Sequence, residues 1–217
     1  MAKENVSWND YEFLLNWVFG EERTVSLCVK TSYRDVQRNL RGMGKMPENE
    51  KQKYKDKICE LISRRIDDLF KDGSNTQESF DQWHKNTCDE ICQKSRKMCS
   101  TLTKEFSYGL AQKWLNMTIK NMLIMKQWDA QLNQIKKHLH IPVDNYIVEE
   151  ASNKFSVKVF NRKGERKPYG ASASMPWSQW GYEEYIQFQK DIRNAVECPV
   201  DWEFGAWIEI RNKRTQT

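Results

Sequence analysis

Long apolar runs are missing from this 217-residue chain. No stretch approaches the ~18 residues that a bilayer-crossing helix needs, so a membrane span is not expected. The opening MAKENVSWNDYEFLLNW has neither the apolar core nor the small-residue cleavage site of a secretory signal, which points to the cytoplasm. The six cysteines are then expected as reduced thiols. There is no tandem repeat, no low-complexity linker, no glycine-rich phosphate loop and no metalloprotease helix signature. Hydrophobic residues are also in short supply, at 39%. Nine Trp, eight Tyr and nine Phe offset this, because each buries a large area, so a real core can form. A net charge of +5 and a pI near 8.8 favour an anionic partner without identifying it.

What is present reads as helix. SWNDYEFLLNWVFG offers Ser7 or Asn9 as a cap, apolar positions Phe13, Leu14, Trp17 and Val18, and Gly20 as a stop. TSYRDVQRNLRGMG reads as a short helix ended by Gly42 or Gly44. A long helix begins at Pro47, carries Ile58, Leu61, Ile62, Ile66 and Leu69 on one face, and ends at Gly73. A second long helix, continuous or broken once, is expected over 76–106, and further helices over 106–125 and 128–140. Pro142 interrupts, and Asp144 is placed to cap a short helix. The period then changes: KFSVKVF alternates, NRKGER turns and KPYG follows, which predicts a β-hairpin over 154–170. A helix over YEEYIQFQKDIRNAV precedes CPVDWEFGAWIEI, read as a last helix or an extended tail. The expected fold is mainly α, one helical domain over 1–217 with a small late β-hairpin.

The most apolar long stretch, FSYGLAQKWLNMTIKNMLIM, carries Lys113 in what reads as its first turn. Lys113, Asn116 and Lys120 make a polar stripe on an otherwise apolar helix. There the positive end of the helix dipole disfavours an ammonium, and partial burial pushes the same way, towards a nucleophilic amine. A solvated lysine on a polar stripe is the plainer alternative. Further along, HIPVDNYIVEE fixes the carboxylate of Asp144 at a helix start, where a simple N-cap is again the plainer use.

Taken together, YGLAQKW leading a buried helix and IPVD leading a short one resemble the helix–hairpin–helix DNA glycosylases. The spacing, the glutamine before the lysine and the late CPVDWEFGAW segment are most similar to the archaeal 8-oxoguanine glycosylase branch. The resemblance covers roughly residues 100–150 and the tail. It implies a helix–hairpin–helix element over 86–150, with Lys113 as nucleophile and Asp144 as its activating carboxylate. It also implies DNA as partner and chemistry that needs no metal or cofactor. Trp114, Trp177, Trp180, Trp202 and Trp207 are then candidates to line a pocket for an extruded base, although aromatics at helical spacing are commonly core. Backbone contacts would come from Arg34, Arg38 and Arg41, or from Arg162, Lys163, Arg166 and Lys167, four cations around one turn with only Glu165 opposed.

His84, Cys88, Cys92 and Cys99 recur along one helix stripe. A straight helix carries Cys99 about 10 Å beyond Cys92, too far to share one zinc, so buried thiols are expected rather than a metal site. His138 and His140 precede Asp144 without a spacing that selects a nucleophile system. Two other readings stay open: a non-catalytic helical nucleic-acid-binding module, and a helical regulatory or host-defence protein that acts by binding a partner.

Overall fold

The structure, a computed structural model, describes residues 10–20, 22–71, 75–99, 101–170 and 174–215. It is mainly helical, with nine α-helices among the described residues and a small two-stranded antiparallel hairpin late in the chain. The helices are α1 (Asp10–Phe19), α2 (Val25–Gln37), α3 (Glu48–Lys71), α4 (Gln77–Met98) and α5 (Tyr108–Ile124). They continue as α6 (Asp129–Ile135), α7 (Asn145–Phe155), α8 (Tyr182–Ala195) and α9 (Pro199–Thr215). Strands β1 (Lys158–Phe160) and β2 (Arg166–Pro168) pair with Val159 opposite Lys167. Among the described residues no helix is long and apolar enough to cross a membrane.

Helix α5 is the axis of the molecule. Every residue from Tyr108 to Asn116 is buried, which its nearly unbroken apolar sequence demands. It lies chiefly against α2, with α4, α8 and a 3-10 turn at Trp177–Gln179 around it. The contact with α2 is tied by Trp114 Nε1 donating to Val29 O at 3.0 Å and Asn121 Nδ2 to Ser32 Oγ at 2.9 Å. One contiguous apolar cluster runs from Cys28 to Ala206.

Several boundaries differ from expectation for local reasons. Helix α2 starts earlier, at Val25, because Thr24 caps it by accepting from Leu27 N. It ends at Gln37, and Gly42 (φ 98°) lies beyond it against Thr101 O, where a Cβ would sit 2.2 Å away. Helix α4 runs unbroken from a Thr76–Ser79 capping box to Met98. The C-terminal segment is helical. Gly20 does stop α1, at φ 81°. However, Phe13, Leu14, Trp17 and Val18 face outward and Leu15 is the buried residue of that helix. The proposed caps Ser7 and Asn9, and Gly73, lie outside the described residues.

Candidate functional site

Ser107 caps α5 by accepting from Leu110 N, so Lys113 is the helix's sixth residue and stands in the second turn. The first-turn expectation was wrong, and with it the dipole argument, since that field fades beyond one turn. What holds is the meeting with Asp144. Lys113 Nζ donates to Asp144 Oδ2 at 2.8 Å, with side chains only 8% and 17% exposed. Asp144 also caps α7: its other oxygen, Oδ1, accepts from Ile147 N at 3.0 Å. One carboxylate thus serves as helix cap and ion-pair partner through different atoms.

Three buried amide side chains hold the strand-like segment before Asp144. Gln112 accepts from Val143 N and donates to Val143 O, both at 3.2 Å. Gln189 does the same for Ile141, accepting at 3.1 Å and donating at 2.9 Å, and Asn116 Nδ2 adds a donor to Ile141 O at 3.0 Å. Because Gln112 neighbours Lys113, the same turn of α5 places the amine and fixes the backbone next to its carboxylate.

A second ion pair stands one heptad on. Lys120 Nζ contacts both oxygens of Glu203, at 2.8 and 2.7 Å, and Glu203 is 2% exposed. Burial pushes the Glu203 carboxyl up, opposed by Lys120 and then by Lys113. Asp35, exposed at the rim of this group, is raised by partial burial against the pull of Lys113 and Arg38. Lys113, Asp144, Asp35, Lys120 and Glu203 therefore form one mixed-charge cluster along α5. The expected stripe is split: seven residues bring Lys120 back to within about 20° of Lys113, whereas Asn116 is turned into a buried network.

The tryptophans separate. Trp114 and Trp180 are core residues, packed on Tyr33 and Phe188 with their indole N–H groups donating to Val29 O and Met175 O. Neither has a face free for a base. Trp177 is also buried, and Trp202 packs on Phe155. Trp207 alone reaches the ionic cluster, its ring 5.8 Å from Lys120 Nζ beside Phe204 at 4.6 Å. Phe204 was not anticipated.

Of the basic groups, Arg38 lies near the cluster, and Arg34, within α2, and Arg41, beyond its end, are exposed. The β-hairpin set is half committed internally. Arg166 pairs with Asp191 and lies over Phe160, and Lys167 pairs with Glu165 at 2.8 Å. Arg162 and Lys163, at the tip, make no ion pair among the described residues.

Helices α4 and α5 are joined by residues 99–107. The amides of Gly109, Leu110 and Ala111 are engaged by Trp180 O, Ser107 Oγ and Ser107 O. A Cβ on Gly109 would lie 2.0 Å from Trp177 O, so this residue permits the close seat of the 3-10 turn. Phosphate contacts at this helix start have to come from side chains.

Sequence reasoning missed a buried polar chain running from Asp81 to Tyr108. Arg193 grips Asp81 through two hydrogen bonds of 2.9 and 3.0 Å. His140 Nε2 lies 2.7 Å from Asp81 Oδ1, His140 Nδ1 2.9 Å from the Tyr185 hydroxyl, and His84 Nδ1 3.2 Å from that of Tyr108. Burial pushes both histidines down, His84 furthest. Burial alone would raise Asp81, but His140, Arg193 and Gln77 hold it well below the usual carboxylate range. His140 therefore serves Asp81 rather than Asp144, and His138 pairs with Gln77.

All six cysteines are free, and burial pushes Cys28 and Cys92 up to about 12 and Cys99 to about 11. Such thiols stay protonated at neutral pH and behave as small apolar groups. Among the described residues no three His, Cys, Asp or Glu side chains are arranged to hold a metal. In comparisons with family models, curated proteins and solved structures, nothing matches this chain.

Proposed function

We propose that the protein is a DNA base-excision glycosylase with lyase activity, acting on a modified base through a Schiff base on Lys113. The observation that carries this reading is the 2.8 Å contact between Lys113, in the second turn of α5, and Asp144, the cap of α7, both largely withdrawn from water. In this scheme the proton of the Lys113 ammonium moves along that contact to Asp144. The free amine attacks C1′ of an extruded nucleotide; the C1′–N bond breaks, and its electron pair leaves with the base. The secondary ammonium so formed gives one proton to the departing base. Asp144 passes its own proton to O4′ as the sugar ring opens, and the resulting protonated Schiff base is stabilised by the Asp144 carboxylate. Loss of a C2′ proton expels the 3′ phosphate and cuts the strand. Trp207 and Phe204, beside the cluster, are the aromatics best placed to meet the base.

The test is borohydride trapping on a panel of oligonucleotides carrying modified bases or an abasic site. The reading expects a covalent protein–DNA adduct that Lys113→Gln abolishes. No adduct on any substrate with the folded wild-type protein would remove it.

A further inference from the structure

Away from the ion pair, an open groove of about 1160 Å³ lies across the start of α5. Its sides are α4, residues 39–41 that follow α2, residues 102–107 and the segment from Pro176 to Tyr182. Three acids and three bases line it, so it looks neutral at first sight. The acids are all matched: Asp89 by Lys85 at 2.7 Å, Glu90 by Arg64 at 2.6 Å, and Glu105 by Arg96 at 2.8 Å. Arg41 and Lys104 are both exposed and have no ion-pair partner among the described residues. The groove therefore offers two unmatched cations.

Its flat apolar surface comes from Pro176 and the half-buried ring of Tyr182, with Leu102 and Leu110 beneath. Tyr182 is braced by the Tyr108 ring at 5.5 Å in a T-shaped contact and by Lys85 Nζ, which lies over its ring at 5.1 Å, so a base would meet the remaining face. Tyr108 in turn is anchored by its hydroxyl to His84, which fixes the wall from behind. Unmatched cations beside rigid flat side chains, inside a concavity, are what a single nucleic-acid strand requires. Phosphates meet the cations and unstacked bases meet the rings. A duplex keeps its bases stacked inward and has nothing to place against Tyr182.

We propose that this groove binds an unpaired nucleic-acid strand, with Arg41 and Lys104 on phosphate and Tyr182 and Pro176 under bases. Its nucleic-acid identity rests on the reading above, with which it shares Arg41, but the Lys113–Asp144 pair is not among its residues.

The experiment measures fluorescence polarisation of labelled oligo-dT on the full chain, across a salt series. The wild type is expected to prefer oligo-dT to a duplex of the same length. In Arg41→Gln/Lys104→Gln affinity should fall about tenfold, and the log–log salt slope should flatten by about 1.4. Tyr182→Ala should weaken binding at least about fivefold while Tyr182→Phe retains it. Unchanged binding in the double variant, a stronger duplex complex, or equal competition by polyglutamate would each overturn the inference. Lys113→Gln should bind oligo-dT normally. If the wild type gives no trapped adduct yet strand binding follows Arg41, Lys104 and Tyr182, the glycosylase reading fails and the groove stands.

Discussion

Asp144 has two tasks that one substitution can separate. Asparagine caps helices about as well as aspartate, so Asp144→Asn keeps the start of α7 and removes only the charge opposite Lys113. Thermal unfolding should show a loss of about 1–3 kcal/mol from the unpaired, mostly buried ammonium. Trapping should fall by at least about 100-fold. Asp144→Ala, which also loses the cap, should cost about 1 kcal/mol more. Equal stability of the two variants would show that the cap contributes nothing. At this scale the sequence was informative: a proline two residues before an aspartate that opens a helix marks the cap directly. The turn occupied by Lys113 was misplaced because the cap is Ser107, which moves the helix start away from the lysine.

Between elements, the register of Asp144 against α5 depends on Gln112. Its amide satisfies both backbone groups of Val143, so Gln112→Leu would leave a buried N–H and C=O without partners. A loss of about 2–4 kcal/mol is expected in urea unfolding, together with weaker trapping even under conditions where the variant is fully folded. A second prediction concerns the seat of the 3-10 turn. Gly109→Ala drives a methyl into the Trp177 carbonyl, and since both sides are backbone the turn must move. That should cost about 1–3 kcal/mol or more and shift the fluorescence of Trp177 and Trp180. Helix positions, the late hairpin and the caps could be read from local patterns because each is set by neighbours in the chain. The outward face of α1 could not: Phe13, Leu14, Trp17 and Val18 have core-like spacing, and only tertiary packing selects Leu15 instead.

Across the whole molecule the polar chain from Asp81 to Tyr108 links α4, α5, the segment before α7, and α8. Its members are scattered from residue 77 to residue 193, so no local signal reveals it. Its pH signature is specific. His84 and His140 titrate lower in the folded protein than the usual value of about 6.5, so below that pH the unfolded chain binds protons that the native state does not. Stability should fall as pH drops from 6.5, by up to about 1.4 kcal/mol per pH unit for each histidine. The raised Glu203 gives an opposite slope just above the ordinary glutamate range, and Asp81 adds a further loss only below about 3.8. Urea midpoints between pH 7 and 5 check this: His140→Asn should flatten the dependence, and a flat wild-type profile would contradict it.

The central claim is that an amine and a carboxylate, far apart in the chain, form one reactive centre. Mass spectrometry of the borohydride-reduced complex with an abasic-site oligonucleotide tests it most directly. The account predicts a sugar–phosphate remnant on the Lys113 side chain in the wild type and none in Asp144→Asn. A remnant on any other lysine, or an unmodified protein after exposure to the whole substrate panel, would contradict it.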